Sequence, residues 1–277
     1  MKPSSAARTA RAADPAPTLL RENVGPIAIL TLNRPQVRNT LSEAMLAALG
    51  EELSNLAADT RIRAVVLAAK GPAFSGGHDL KELTARRADP DRGRAYFKHI
   101  MLVCSTMMQQ IVRLPQPVIA AVQGTATAAG CQLVASCDLA VASASAKFGV
   151  SGINAGLFCS TPMAPLSRNV ARKHAMEMLL TGDLISAQDA FRIGLVNRVV
   201  PPGSELEAAL ALARKIAGKS AHVVKIGKQA FYRQLEMGLD DAYRYTADVM
   251  VENMLARDAE EGIAAFVEKR PPKWEDR

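Results

Sequence analysis

Two continuous apolar runs, at residues 64–69 and 117–122, constrain the fold of this chain more than any other feature. Neither run alternates with polar residues, which is typical of strands that are buried on both faces of a parallel sheet. Gly71-Pro72 follows the first run and Gly124 follows the second, so each strand ends at a turn. Parallel strands need crossover connections, usually helices, and the two runs therefore predict an α/β fold.

The remaining pattern divides the chain into three parts. Further strands are predicted at 27–32, 138–142 and 147–149, and strands alternate with helices until about residue 200. Small residues at 125–130 predict the start of a helix that continues to Ser136. Only helices follow, at 205–217, 223–234 and 240–256. We therefore expect a disordered tail at 1–18, an α/β core at 19–202 and a helical region at 203–277.

The charge balance is mildly basic. The chain has 34 Lys and Arg against 27 Asp and Glu, a formal net charge of +7, which fits a phosphorylated small ligand as well as nucleic acid. Aromatic residues are only 4%, which argues against a stacking surface for single-stranded nucleic acid. Lys215, Lys219, Lys225 and Lys228 leave RNA binding as an alternative, but a solvated helix face explains them more simply.

Cysteine usage and hydropathy indicate the compartment. The four cysteines form no CxxC pair, so neither a disulfide framework nor a structural zinc site is predicted, and a reducing, cytoplasmic setting is expected. No apolar run is long enough to predict a membrane span. The first 18 residues contain Arg8 and Arg11, which would also suit a mitochondrial transit peptide, with the matrix as the alternative compartment.

Several common catalytic motifs are missing from the sequence. It contains no GxxxxGK[ST], GxGxxG or GxSxG segment, which argues against a P-loop, a Rossmann cofactor site and an α/β-hydrolase nucleophile. Three of the four histidines, His99, His174 and His222, fall on predicted helices and are interpreted as structural. No metal ligand set is predicted.

Two turns of small residues, at 75–78 and 126–130, each follow a buried strand. Small side chains let a ligand approach the backbone closely, and the second turn also opens a helix whose first N–H groups are free. Two converging N–H donors would form an oxyanion hole for a carbonyl oxygen that gains negative charge. The alternative is that both turns only allow the layers to pack closely.

A set of ordered segments resembles the crotonase, or enoyl-CoA hydratase/isomerase, family. The segments are NRP at 33–35, NTL at 39–41, GPAFSGGHDLKE at 71–82, PVIAAVQG at 117–124, AGCQL at 129–133, CDLAVA at 137–142, MEMLLTG at 176–182, SAQDA at 186–190 and GLV at 194–196. The resemblance extends from about residue 20 to the end. It implies a spiral of ββα repeats and a C-terminal helical region that builds homotrimers or dimers of trimers.

The resemblance also implies the ligand, an acyl-CoA thioester, with coenzyme A present as part of the substrate and no other cofactor. The family's oxyanion donors correspond to the backbone N–H groups of His78 and Ala129. Its CoA-contacting positions correspond to Val37, Arg38, Gly77, Asp79 and Leu80. Binding of the CoA phosphates would explain the excess of basic residues in the chain. Phe266 and Lys269 match positions that in the family reach the CoA of a neighbouring subunit.

The chain departs from the family at both acid/base positions. Hydratases of the family have glutamates where this sequence has Gln132 and Gly152. Hydration of an enoyl thioester needs a base to activate water and an acid to protonate the α-carbon, and removing one such group typically costs about 10²–10⁴ in rate. We therefore predict that ordinary hydratase activity is weak or absent. The segments at 130–138 and 156–162 resemble a subgroup of the family that shares these replacements.

Other side chains near these positions offer substitutes. Cys159 and Ser160 follow the vacated second position and either act in catalysis or line the pocket; no partner that would activate Ser160 is visible. His78 lies in a Gly-His-Asp variant that resembles decarboxylases of the family, whose reaction needs chiefly enolate stabilisation and tolerates missing acids. The sequence thus predicts a thioester-polarising enzyme. The alternatives are a decarboxylase or hydrolase with the same oxyanion hole, or a non-catalytic acyl-CoA-binding oligomer.

Overall fold

The computed structural model describes residues 16–277, so most of the predicted tail lies outside the described residues. The strands, in chain order, are β1 Leu19–Val24, β2 Ile27–Leu32, β3 Ala64–Ala69, β4 Ala73–Ser75, β5 Val118–Val122, β6 Thr125–Thr127, β7 Leu139–Ser143, β8 Lys147–Gly149, β9 Ile185–Ser186 and β10 Arg198–Val200. The α/β prediction is confirmed.

Helices connect and follow these strands. They are α1 Glu43–Ala58, α2 Leu80–Ala85, α3 Arg94–Arg113, α4 Ala129–Ser136, α5 Met163–Asn169, α6 Arg172–Thr181, α7 Ala187–Arg192, α8 Glu205–Ala217, α9 Ala221–Gln234, α10 Leu239–Leu255 and α11 Arg257–Val267, with short 3₁₀ helices at Pro35–Val37, Arg86–Ala88 and Ser151–Ala155. His99, His174 and His222 lie on α3, α6 and α9, as predicted. No helix within residues 16–277 is long and apolar enough to cross a membrane.

The larger sheet has six strands in the order β1-β2-β3-β5-β7-β10. Its first pair is antiparallel, with Leu19 opposite Leu32, and the other neighbours are parallel. The apolar strands β3 and β5 lie at its centre, where Val66 is opposite Ile119. Central strands of a parallel sheet have both faces covered, which explains the absence of polar alternation in their sequences.

The second sheet has four strands in the order β4-β6-β8-β9. The chain repeatedly places one strand in the first sheet and the next strand in the second, as β3 and β4, β5 and β6, and β7 and β8 do. Helices follow each of these pairs. This arrangement confirms the predicted spiral of ββα repeats, and it brings the turns after β4 and β6 side by side.

Two hydrophobic clusters cover the two faces of the six-stranded sheet. One contains alternate strand residues such as Val66 and Ile119 together with Ala209, Leu210 and Ala213 of α8. The other contains residues such as Val65 and Leu67 with the buried faces of α1, α3 and α4. The division at residues 202 and 203 between a core and a helical region stays a prediction.

The structure contains five short strands that the sequence did not predict, namely β1, β4, β6, β9 and β10. Residues 125–127, expected to open a helix, form β6, because Thr125 pairs with Ala73 of β4 and Ala126 pairs with Phe148 of β8. Residues 19–24 form the edge strand β1, whose Arg-Glu-Asn segment did not resemble a strand. The strand β6 is determined by pairing with distant parts of the chain, whereas β1 pairs with the adjacent β2 across a tight turn.

Candidate functional site

The two small-residue turns are in direct contact. They follow β4 and β6, which are parallel neighbours, with Ser75 opposite Ala126. A Cβ atom added to Gly77, whose φ is +85°, would lie 2.9 Å from Ala128 Cβ and 3.1 Å from the backbone nitrogen of Ala129. Gly130 is equally close to the first turn, since its added Cβ would lie 2.2 Å from the Ser75 carbonyl oxygen. The glycines in both turns are therefore required for this approach.

Each turn has at least one backbone N–H without an acceptor among the described residues. Gly76 N–H donates to the Arg38 carbonyl at 2.9 Å, and Ala128 N–H donates to the Gly149 carbonyl at 2.9 Å. By contrast, the N–H groups of His78 and Ala129 have no acceptor among residues 16–277. Ala129 is the first residue of α4, where an N–H has no partner within the helix. The touching turns thus contain free donors on both sides of their contact, His78 N–H on one and Ala129 N–H, followed by Gly130 N–H, on the other.

Ala128 has a strained backbone next to one of these donors. It is the N-cap of α4, with φ 51° and ψ −122°, a region that residues with a Cβ rarely adopt. Strain of this kind costs about 1–3 kcal/mol and persists only where the surroundings impose it. Here the pairing of Thr127 with Gly149 and the contact of Gly130 with Ser75 hold the turn in place.

The loop that precedes the first turn is fixed by two buried polar residues. Asn39 is fully buried, and its amide donates to the carbonyls of Lys70 and Ala73, each at 2.9 Å. The Ser75 hydroxyl donates to the Asn39 carbonyl at 2.9 Å and accepts the Gly77 N–H at 3.3 Å. Sequence reasoning did not assign a role to either residue, although a Ser directly before two glycines was a usable signal.

The predicted CoA-contacting residues lie on this same loop and turn. Val37 ends the 3₁₀ helix, and Arg38 has a left-handed backbone with φ 55°. Asp79 caps α2 through the N–H groups of Lys81 and Glu82. Arg38 and the first turn are joined by the bond from Gly76, whereas the exposed Leu80 begins α2.

Phe266 and Lys269 lie apart from these residues, at the end of α11. The Phe266 side chain is 85% exposed, so nothing in the described chain covers it. Lys269 N–H donates to the Phe266 carbonyl at 3.2 Å. Neither residue lines a cavity with the other predicted site residues. The structure does not bring them to the two turns of the same chain.

The His78 ring lies near the Leu41 backbone and has no side chain as a hydrogen-bond partner within the described residues. Both ring nitrogens are buried, and neither forms a hydrogen bond within the described residues. Burial lowers the pKa of His78, because the positive imidazolium loses hydration. The ring is therefore neutral near pH 7, and the backbone of this residue is better placed for function than its side chain.

Gln132 lies one helical turn after Ala129 on α4 and is only 3% exposed. Its Oε1 has no hydrogen-bond partner among the described residues. The side chain borders a cavity of about 920 Å³ between α3, α4, α5 and α9, together with Ser136 and Ser160. A buried amide that lacks a partner and faces a cavity is a site for water or a polar ligand group.

Gly152 is closed to any side chain by Cys159. The Gly152 N–H donates to Cys159 Sγ at 3.3 Å. A Cβ added to Gly152 would lie 2.7 Å from that sulfur and 2.6 Å from the Leu157 carbonyl oxygen. Burial raises the pKa of the Cys159 thiol, which is 8% exposed, so it stays protonated at neutral pH. This position is thus filled rather than empty.

Ser160 borders the cavity but has no base beside it. Its hydroxyl donates to the Phe158 carbonyl at 3.3 Å, and no acid or imidazole bonds to it within residues 16–277. An unactivated hydroxyl is a weak nucleophile and a weak base. Ser160 therefore contributes a polar surface to the cavity wall.

A buried ion pair attaches α9 to the core behind the cavity. Lys228 Nζ lies 2.7 Å from Asp138 Oδ2 and also donates to the carbonyls of Ile111 and Gln116. Tyr232 donates to Asp138 Oδ1 at 3.0 Å, and its ring lines the cavity. This network holds the α9 wall of the cavity against the end of α3. No group of three or more His, Cys, Asp or Glu suited to a metal ion occurs in the described part of the chain.

Comparisons with known proteins agree with this architecture. Residues 22–277 match the model of the enoyl-CoA hydratase/isomerase family. Human enoyl-CoA hydratase domain-containing protein 3, mitochondrial, is 47% identical over 272 residues, covering 98% of this chain and 87% of that protein. The subgroup resemblance of segments 130–138 and 156–162 is to this protein, and it is confirmed.

Solved structures are similar over nearly the whole fold. An enoyl-CoA hydratase from Mycobacterium smegmatis has a TM-score of 0.89 at 54% identity, covering 93% of this chain and 99% of that one. The human domain-containing protein 3 has a TM-score of 0.88 at 47% identity, covering 93% and 100%. The chain therefore belongs to the enoyl-CoA hydratase/isomerase, or crotonase, family.

Proposed function

We propose that the protein is an acyl-CoA thioester enzyme that stabilises a thioester enolate through the backbone N–H groups of His78 and Ala129. The observation that carries the proposal is that these two donors lie in turns that touch each other and have no acceptor within residues 16–277, whereas the preceding N–H groups of Gly77 and Ala128 are paired. Donors aimed at a developing oxyanion are among the largest contributions to catalysis, with about 10²–10³ in rate for one donor.

The proposed chemistry is not ordinary hydration. The amide of Gln132 does not titrate at working pH and so cannot act as a general acid or base, and Cys159 fills the space beside Gly152. The cavity contains one carboxylate, Glu236, which is exposed and paired with Arg168 at 3.0 Å. Proton transfer in this site would use a water held by Gln132, or the substrate itself. Cys159 and Ser160 are proposed to line the pocket.

The proposed CoA moiety lies along Val37, Arg38, Gly77, Asp79 and Leu80, and coenzyme A enters only as part of the substrate. The modest net charge of +7 suits the CoA phosphates. The exposed Phe266 and the adjacent Lys269 are proposed to reach the CoA of a neighbouring subunit.

A homotrimer or dimer of trimers is the proposed assembly. The helix α10 has no buried residue in the single chain, and Leu239, Val251 and Leu255 are more than half exposed. Large apolar side chains gathered on one helix indicate an interface. Size-exclusion chromatography with light scattering tests the assembly.

The compartment is also a proposal. The cytoplasmic prediction has no support from the relatives, whereas the name of the human protein favours the alternative, the mitochondrial matrix. The full chain and a chain lacking residues 1–18, each with a C-terminal fluorescent protein, separate the two compartments by microscopy. Loss of a mitochondrial signal on truncation would support a transit peptide.

Infrared difference spectroscopy tests the oxyanion hole. The carbonyl stretch of a ¹³C-labelled acyl-CoA should shift to lower frequency on binding, and Ala129→Pro, which removes one donor, should abolish most of the shift. Proline is compatible with the first position of a helix. Arg172→Pro, at the first position of α6, is the matched control and should retain the shift. Binding without any shift in the wild type would contradict the proposal and favour a non-catalytic binder.

A turnover screen then separates the enzyme classes. Crotonyl-CoA should be hydrated far more slowly than by a hydratase that has both glutamates. Enoyl-, hydroxyacyl- and malonyl-type CoA esters identify the reaction, since carbon dioxide release marks a decarboxylase and free thiol marks a hydrolase. Hydration of crotonyl-CoA at the usual family rate would overturn the prediction for Gln132 and Gly152.

A further inference from the structure

The cavity of about 920 Å³ lies along the part of α4 that follows Ala129. Gln132, Ala135 and Ser136 border it, three positions on one face of the helix. With a rise of 1.5 Å per residue, Gln132 lies about 4.5 Å and Ser136 about 10.5 Å beyond Ala129 along the helix axis. An acyl chain whose carbonyl oxygen accepts the Ala129 N–H would reach this cavity at Gln132 and would then extend towards Ser136.

Most of the surface of the cavity is apolar, but three of its lining residues are exposed arginines. Met108, Val112 and Pro165 lie on the walls, and the arginine rim, which we define as Arg113, Arg168 and Arg233, lies at the outer end with Glu236. Three cations thus face one carboxylate. A neutral alkyl chain would not be stabilised at this end of the cavity, because it would remove water from the guanidinium groups without offering them a hydrogen-bond partner.

Two members of the arginine rim have no carboxylate partner in the described chain. Arg168 is paired with Glu236, whereas Arg113 donates to the neutral amide of Gln109 at 2.8 Å. The Arg233 guanidinium lies over the Tyr245 ring, 4.4 Å from its centroid. Contact with a ring face or an amide leaves guanidinium N–H groups free to bind an anion. Arg113 and Arg233 are therefore available to a ligand carboxylate.

We propose that the acyl group taken by this cavity ends in a carboxylate, so that the substrate class is the CoA monothioester of a dicarboxylic acid. This inference rests on the proposed function, because it requires the thioester carbonyl to lie at His78 and Ala129. The distal carboxylate is bound by Arg113 and Arg233, while the apolar walls contact the methylene chain. Charge-assisted bonds from guanidinium to carboxylate are the strong and directional kind.

Titration calorimetry with matched ligands tests the proposal. Hexanoyl-CoA and adipoyl-CoA differ only in the terminal carboxylate, as do octanoyl-CoA and suberoyl-CoA. The carboxylated member of at least one pair should bind 10-fold or more tightly. Arg113→Gln with Arg233→Gln should remove this preference and change the affinity for the neutral member less than 3-fold. Arg192→Gln, an exposed arginine paired with Asp189 outside the cavity, should retain the preference.

The outcomes separate the two proposals. Equal binding of both members, or tighter binding of the neutral one, would overturn the carboxylate inference and leave the acyl-CoA function standing. Failure of every CoA ester to bind would overturn the proposed function itself. A change of oligomeric state in the double variant, with the ligand preference unchanged, would show that the arginine rim binds another subunit and would overturn the inference. Both substituted side chains are exposed, so the thermal midpoint should stay unchanged.

Discussion

Cys159 Sγ accepts a hydrogen bond from the Gly152 backbone N–H at 3.3 Å, in the space that a side chain at position 152 would need. Position 152 therefore lacks an acid, and the neighbouring atoms also leave no space for one. The thiol, the Leu157 carbonyl and the 3₁₀ helix of residues 151–155 together form a surface without room for a Cβ. Position 152 therefore has room only for a glycine in this structure.

Restoring the two glutamates should not restore hydration. Gly152→Glu puts a Cβ 2.6 Å from the Leu157 carbonyl oxygen, and overpacking of this kind costs about 1–3 kcal/mol. Gln132→Glu with Gly152→Glu should therefore lower the urea midpoint and leave crotonyl-CoA hydration undetected. Adding Cys159→Ala should recover part of the stability, because it removes only the sulfur contact.

Gly227 offers the matched control for that substitution. It lies on α9, and a Cβ there meets nothing within 4 Å. Gly227→Glu should leave the urea midpoint unchanged or raise it, since Gly in a helix costs about 1 kcal/mol relative to good helix formers. Full hydratase activity in the doubly restored enzyme would contradict the view that the site is sterically closed.

Ala128→Gly should stabilise the protein by about 1 kcal/mol. The substitution relieves about 1–3 kcal/mol of backbone strain at φ 51° and costs about 0.5–1 kcal/mol in chain entropy. Urea unfolding at fixed protein concentration measures the difference. Ala126→Gly is the control: Ala126 is fully buried in β6 without positive φ, so its variant should be less stable than the wild type. A destabilised Ala128→Gly variant would show that the Ala128 side chain contributes more than its backbone costs.

The sequence predicted the fold correctly where the hydrophobic pattern of a segment matches its burial in the structure. Residues 64–69 and 205–217 form the predicted strand and helix with the predicted bounds, because the positions of their apolar residues match the positions that are buried in the structure. Residues 125–127 were mispredicted because small residues have weak preferences, and the strand exists only through pairing with β4 and β8.

The sequence also predicted part of the candidate site. The spacing of the small-residue turns predicted that residues 75–78 and 126–130 matter, and β4–β6 pairing brings them together. The contact between Gly152 and Cys159 joins residues across a loop, so no spacing rule would find it. The arginine rim collects side chains from α3, α5 and α9, far apart in the chain, and became visible only in the structure.

Stability should fall below about pH 6.5 because of His78. Burial lowers its pKa in the folded state below the ordinary value of 6.5, so the unfolded chain binds a proton that the folded chain does not. The stabilisation is present above pH 6.5 and is lost as the pH falls, by up to about 1.4 kcal/mol per pH unit. Urea unfolding of wild type and His78→Gln between about pH 7.5 and 5.5 should give curves that converge or cross on acidification. His99→Gln, at an exposed site on α3, should parallel the wild type, and parallel curves for His78→Gln would contradict this assignment.

Gly77→Ala should separate the two turns and lower activity more than stability alone explains. The added methyl would lie 2.9 Å from Ala128 Cβ and 3.1 Å from the Ala129 nitrogen, so it pushes one free donor away from the other. Gly156→Ala is the matched control, because Gly156 has φ +74° and nothing lies within 4 Å of its added Cβ. Both variants pay about 1–2 kcal/mol for an L-residue at positive φ, but only Gly77→Ala adds the steric contact. Urea unfolding and the infrared carbonyl shift compare the two variants. Gly156→Ala should remain folded with an intact carbonyl shift, whereas Gly77→Ala should lose the shift. An intact shift in Gly77→Ala would mean that the two N–H groups do not act on one carbonyl oxygen.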